Sequence, residues 1–86
     1  MIPATVAFTW AFTPMDGKPR AQFAVIHRDA AGRKTELAAK DIAPAGIPAT
    51  ADGALSRAGY RRLESWFRTP AGWAAHCTPF DLEDSA

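Results

Sequence analysis

Along the first segment the bulky residues Ile2, Val6, Phe8, Trp10 and Phe12 occupy even positions, and Thr5, Ala7, Thr9, Ala11 and Thr13 occupy odd ones. Successive side chains of a strand point to opposite faces, so this alternation predicts a β-strand with every large side chain on one side. Aromatic and β-branched residues also suit a pleated surface.

Pro14-Met15-Asp16-Gly17-Lys18-Pro19 closes that strand, because proline removes a ladder donor and Asp-Gly supplies the positive φ of a tight reversal. A second strand is predicted over 20–28. It carries Ala21, Phe23, Val25 and His27 on one face, with Arg20, Gln22, Ala24, Ile26 and Arg28 on the other. Asp29-Ala30-Ala31-Gly32-Arg33 reads as a hairpin loop. From Lys34 to Ile42 the residues alternate in strand fashion, although Leu, Ala, Lys and Glu also favour a helix; the hairpin before it selects a strand.

Pro44 to Gly53 is a linker-like loop that ends on the helix-cap residue Asp52, with Ser56 a second candidate cap. A main helix is then predicted to about Arg68 from the apolar stripe Leu55, Gly59, Leu63, Trp66 and Phe67. Thr69-Pro70 would start a short helix through Trp73 to His76 or Cys77, stopped by Thr78-Pro79. The expected fold class is α+β: a three-stranded antiparallel β-meander packed against one main C-terminal helix plus a short second helix. Residues 1–80 form one domain, and 81–86 an acidic, flexible C-terminal tail.

An 86-residue chain buries only about 60–65% of its unfolded surface, so a deep walled cleft is not expected and a homodimer or partner surface would add stability. The large core candidates are Val6, Phe8, Trp10, Phe12, Phe23, Val25, Leu37, Leu55, Leu63, Trp66, Phe67 and Trp73. Cys77 is the only cysteine, which excludes an internal disulfide and favours a reducing compartment. The N-terminus lacks a basic, apolar leader and no stretch is long enough to span a membrane, so a cytoplasmic protein is expected. All ten Lys and Arg lie between Lys18 and Arg68, and residues 1–80 carry ten positive against six negative charges. The body is mildly basic.

No catalytic or metal-ligating pattern stands out. His76-Cys77 are adjacent but have no orienting third group, and His27, His76 and Cys77 lack ligand spacing. Glu64 is explained by helical ion pairs with Arg61 or Arg68. No cofactor is implied. Two surfaces remain. On the predicted helix, Arg57, Tyr60, Arg61, Arg62 and Arg68 would present forked cations and a tyrosine to a protein partner. On the sheet, if Phe8, Trp10, Phe23, Val25 and Leu37 face the helix, then Arg20, Gln22, Arg28, Lys34 and Lys40, with Thr5, Thr9 and Thr13, form a polar face suited to nucleic acid.

The run Leu63-Glu64-Ser65-Trp66-Phe67, followed by Pro70 and Gly72, resembles a family of small phage-encoded anti-CRISPR proteins of the type I systems. The resemblance implies antiparallel strands before a helix, and action by binding a subunit of the CRISPR surveillance complex rather than by catalysis. It transfers no site residues. The β-β-β-α order, the Asp29 to Lys34 turn and Trp66-Phe67 are also similar to the three-stranded arm-binding domains of phage integrases. The leading expectation is thus a non-enzymatic protein-binding module, an inhibitor of a host defence complex. Nucleic-acid binding through the sheet and a structural subunit of a phage or other assembly are the alternatives.

Overall fold

The computed structural model describes residues 2–80. Three antiparallel strands open the chain: β1 (Ala4–Phe12), β2 (Arg20–Arg28) and β3 (Lys34–Ile42). Their turns use the predicted chemistry. Gly17 has φ +77 and its N–H donates to Pro14 O. The Asp29 carboxylate accepts from the backbone N–H of Ala31 and Arg33, with Gly32 at φ +86.

The second half differs from the expected fold class. The only helix among the described residues is α1 (Ala49–Arg57), nine residues long, and it is followed by β4 (Tyr60–Arg62), β5 (Phe67–Arg68) and β6 (Trp73–Pro79). The result is one six-stranded antiparallel sheet in the order β3-β2-β1-β6-β4, with β5 also paired to β6. Neither the main C-terminal helix nor the short second helix is present among the described residues. Gly59 ends α1 at φ +95, a conformation that other residues adopt only with strain. Beyond it, residues read as a helical stripe pair with β6 instead, Arg62 opposite Cys77 and Phe67 opposite Ala74. Residues 73–79, whose alanines favour a helix, form a strand inserted between β1 and the β4/β5 edge, where Ala74, Ala75 and Cys77 are buried. Asp52 is not a cap: α1 starts at Ala49, and Asp52 lies in its first turn.

Register decides which sheet face meets the helix. Ala7 pairs with Val25 and Ala75, and Thr9 with Phe23 and Trp73. The core is therefore built on the odd side of β1: Ala7, Phe23, Val25 and Cys77 against Ala51, Ala54 and Leu55 of α1, with Ala38, Ile42, Tyr60 and Trp66 around them. Buried Thr9 satisfies its hydroxyl by donating to Gln22 O at 2.9 Å. The expectation that Phe8, Trp10 and Leu37 join Phe23 and Val25 beneath the helix fails. Phe8 pairs with Ala24, and Trp10 with Gln22, on the opposite face. Of the large core candidates, Phe12, Leu37, Leu63 and Phe67 are exposed. No helix among the described residues is long and apolar enough to cross a membrane. The acidic segment 81–86 lies outside the described residues.

Candidate binding surface

Alternation carries Val6, Phe8, Trp10 and Phe12 to the side of the sheet away from α1. Beside them, by register, lie Ile26 and Ala24 on β2, Ala74 and His76 on β6, and Phe67 on β5. The only buried residues here are the two small ones, Ala24 and Ala74. Val6, Phe8, Trp10 and Ile26 are half-buried, while Phe12 and Phe67 are 38% and 44% exposed. By contrast, the largest fully buried side chains, Phe23, Leu55, Val25 and Thr9, all belong to the helix-side core. One face of the sheet is thus packed, and the other is apolar and open.

The open face is sculpted. A concavity of about 400 Å³ has Ala4, Val6, Phe8 and Ile26 as its floor and Arg28, Lys34 and Glu36 at its rim. A second, of about 390 Å³, adjoins Trp10, Gln22 and Ala24. Arg28 Nε is buried without a hydrogen-bond partner. A donor of this kind is costly unless something accepts from it.

Four of the five predicted sheet residues, Arg20, Gln22, Arg28 and Lys34, do share this face, but with the aromatic row rather than with the threonines. Lys40 pairs with Phe23 and so points to the helix side. Arg20 is 3.5 Å from Asp16, and Gln22 donates to Asp41 at 2.8 Å.

The predicted helix-face set is distributed over three elements. Arg57 ends α1, Tyr60, Arg61 and Arg62 form β4, and Arg68 lies on β5. Along β4, Tyr60 packs against the core and Arg62 turns to Asp52, so Arg61 between them points the other way. Arg62 donates to Asp52 through Nε at 2.6 Å and through its terminal nitrogen at 3.2 Å, and Trp66 Nε1 donates to the same carboxylate at 2.9 Å. The Arg68 guanidinium sits 4.9 Å from the Trp73 ring centroid. A larger recess of about 610 Å³ lies at this edge, lined by Asp52, Tyr60, Arg62, Leu63, Glu64 and Phe80. Asp52 and Arg62 bind each other there and Glu64 is taken up by His76, so the recess offers less to a ligand than the open sheet face.

Sequence reasoning missed the Glu64–His76 pair. Glu64 Oε2 accepts from the His76 backbone N–H at 2.8 Å and lies 2.6 Å from His76 Nδ1, which replaces the predicted helical ion pairs. The backbone bond first, and then the ring, hold the Glu64 carboxyl below the usual carboxylate range. His76 and Cys77 are neighbours on a strand and so point to opposite faces. Burial pushes the Cys77 thiol up to about 11, which leaves it protonated and a poor nucleophile at neutral pH. Among the described residues no group of three or more His, Cys, Asp or Glu could hold a metal ion. The Leu63–Phe67 run that carries the anti-CRISPR resemblance spans the connection from β4 to β5, not a helix.

Comparison with protein-family models, with curated proteins and with solved structures finds no match to this chain.

Proposed function

We propose that this chain is a non-enzymatic protein-association module whose working surface is the aromatic sheet face opposite the helix. The observation that supports this is the uncovered row Val6, Phe8, Trp10 and Phe12, continued by Ile26 and Phe67. Small soluble domains rarely leave a contiguous apolar patch of several hundred Å² without a partner. Aromatic side chains with a few arginines at the rim are also what protein interfaces favour.

Charge separates this reading from nucleic-acid binding. A surface that tracks phosphates needs several uncommitted cations. Here Arg20 is matched by Asp16, and Arg28 and Lys34 share their rim with Glu36. Binding to a single-stranded oligonucleotide should accordingly be weak at physiological salt. The anti-CRISPR resemblance makes a subunit of a defence surveillance complex the first foreign protein to assay, in a cytoplasmic setting that the single cysteine favours. Phe8→Ser and Trp10→Ser should abolish capture of such a partner while circular dichroism stays unchanged. Undiminished capture by both variants would sink the assignment of this face.

A further inference from the structure

Going beyond that reading, we infer that the concavity over β1, β2 and β3 is a binding site for a small amphipathic monocarboxylate, a single carboxylate head on an unbranched apolar tail. Register lays the site out in rows across the strands. Ala4, Arg28 and Lys34 stand side by side in the first row. Val6, Ile26 and Glu36 form the second, two residues further along β1, and Phe8 begins the third, opposite buried Ala24. All of these except Ala24 line the hollow of about 400 Å³. That volume falls at the lower end of small-molecule sites, about 300–1,000 Å³. Successive rows on one face of a strand lie about 6.6 Å apart, so the hollow runs about 13 Å from a cationic end to an aromatic one.

The charges select the ligand. Among the described residues the side chains of Arg28, Lys34 and Glu36 make no ion pair or hydrogen bond, with one another or with any other group. Two cations and one carboxylate leave the rim one positive charge in excess, which a single negative charge balances. A carboxylate seated between the Arg28 fork and the Lys34 ammonium gains charge-assisted hydrogen bonds. Its tail then covers Val6, Ile26 and Phe8, apolar surface on the side of the sheet away from α1. Glu36 flanks the tail in the second row rather than the head in the first, so it repels a second negative charge placed further along the ligand. The site thus discriminates by where the charge lies, which an apolar patch alone does not.

Titration of the isotope-labelled chain, followed by amide NMR shifts, tests this with decanoate, decanedioate and decyltrimethylammonium as probes. Decanoate should give saturable shifts centred on Val6, Ile26, Arg28 and Lys34, with a Kd of about 1 mM or tighter. Octanoate should bind about fivefold more weakly, because two methylenes leave a half-open floor. Arg28→Gln and Lys34→Gln should each weaken decanoate about fivefold, the upper end for exposed ion pairs. Decanedioate and the cationic probe should bind less than decanoate, and Glu36→Gln should raise the affinity for decanedioate about fivefold, a gain that misfolding cannot produce. Shifts that do not saturate by about 10 mM, equal binding of the three probes, or Glu36→Gln without effect on decanedioate overturn the inference. Trp10 does not line this hollow, so Trp10→Ser should abolish capture of a protein partner and leave decanoate binding unchanged. The association reading and this site therefore fail separately.

Discussion

The Asp52 carboxylate joins α1 to the β4–β5 connection, and its removal tests whether that joint holds the second half of the sheet. It accepts from Arg62 Nε at 2.6 Å, from the terminal nitrogen at 3.2 Å and from Trp66 Nε1 at 2.9 Å. With Arg62 and Asp52 side chains 31% and 42% exposed, the ion pair is screened and contributes about 1 kcal/mol, the upper end for exposed pairs because it is bidentate. The Trp66 bond to a charged acceptor, discounted for the same exposure, adds about 1 kcal/mol. Asp52→Ala should therefore cost about 2 kcal/mol, which at this size lowers Tm by about 8–16 °C. Asp52→Asn keeps an acceptor for Trp66 but loses the charge, so its cost should be near half, about 1 kcal/mol. Urea unfolding followed by circular dichroism measures both, with unchanged m-values as the check on two-state behaviour. A loss below about 0.5 kcal/mol for Asp52→Ala, or equal losses for the two variants, would refute the partition into a charge and a tryptophan anchor.

Three other perturbations follow from the same geometry. A Cβ at Gly72 would overlap the Thr9 carbonyl oxygen and crowd Trp10 Cα, so Gly72→Ala should destabilise by more than about 2 kcal/mol in the same urea assay, the scale of overpacking against backbone that cannot yield. Because the folded Glu64 carboxyl titrates below its ordinary value, its contribution is present at neutral pH and lost as pH falls through the folded pKa; the stability difference between wild type and Glu64→Gln should vanish in acid, measured by thermal melts from neutral pH into acid, with the change falling below the ordinary glutamate range. Buried Cys77, with its thiol at about 11, should react with iodoacetamide only on unfolding, at a rate that urea accelerates and partner binding does not.

How far the sequence carries can be seen at particular residues. The alternation of β1, the Asp16-Gly17 reversal and the Asp29 to Gly32 hairpin are local signals, and the structure follows them because strand period and turn chemistry are both satisfied within a few residues. Residues 59–79 fail because their helical features are weak and their pairing is distant. Leu55, Leu63 and Trp66 fall at helical spacing, but Gly59 interrupts the stripe, and Ala74-Ala75 has no alternation to betray a central strand. Contact with β1, more than sixty residues earlier, together with β4 and β5 on its other edge, makes 73–79 extended. The candidate surface is half legible: Arg20, Gln22, Arg28 and Lys34 do share a face, but the aromatic row that accompanies them depends on which side the helix chooses.

That choice has a physical cause in side-chain size. The face under α1 carries Ala7 and Ala75 in register with Val25, and the helix meets it with Ala51 and Ala54. Small residues on both layers let a short helix approach the sheet closely, so that Phe23 and Leu55 are enough to fill the space between them. Had α1 lain on the other side, Phe8, Trp10 and Phe12 would have held it away, and a nine-residue helix could not cover a row of rings that long. The strong alternation of β1 thus gives its two sides different surroundings: the odd side is shaped for the chain's own helix, and the even side is left open by the described residues.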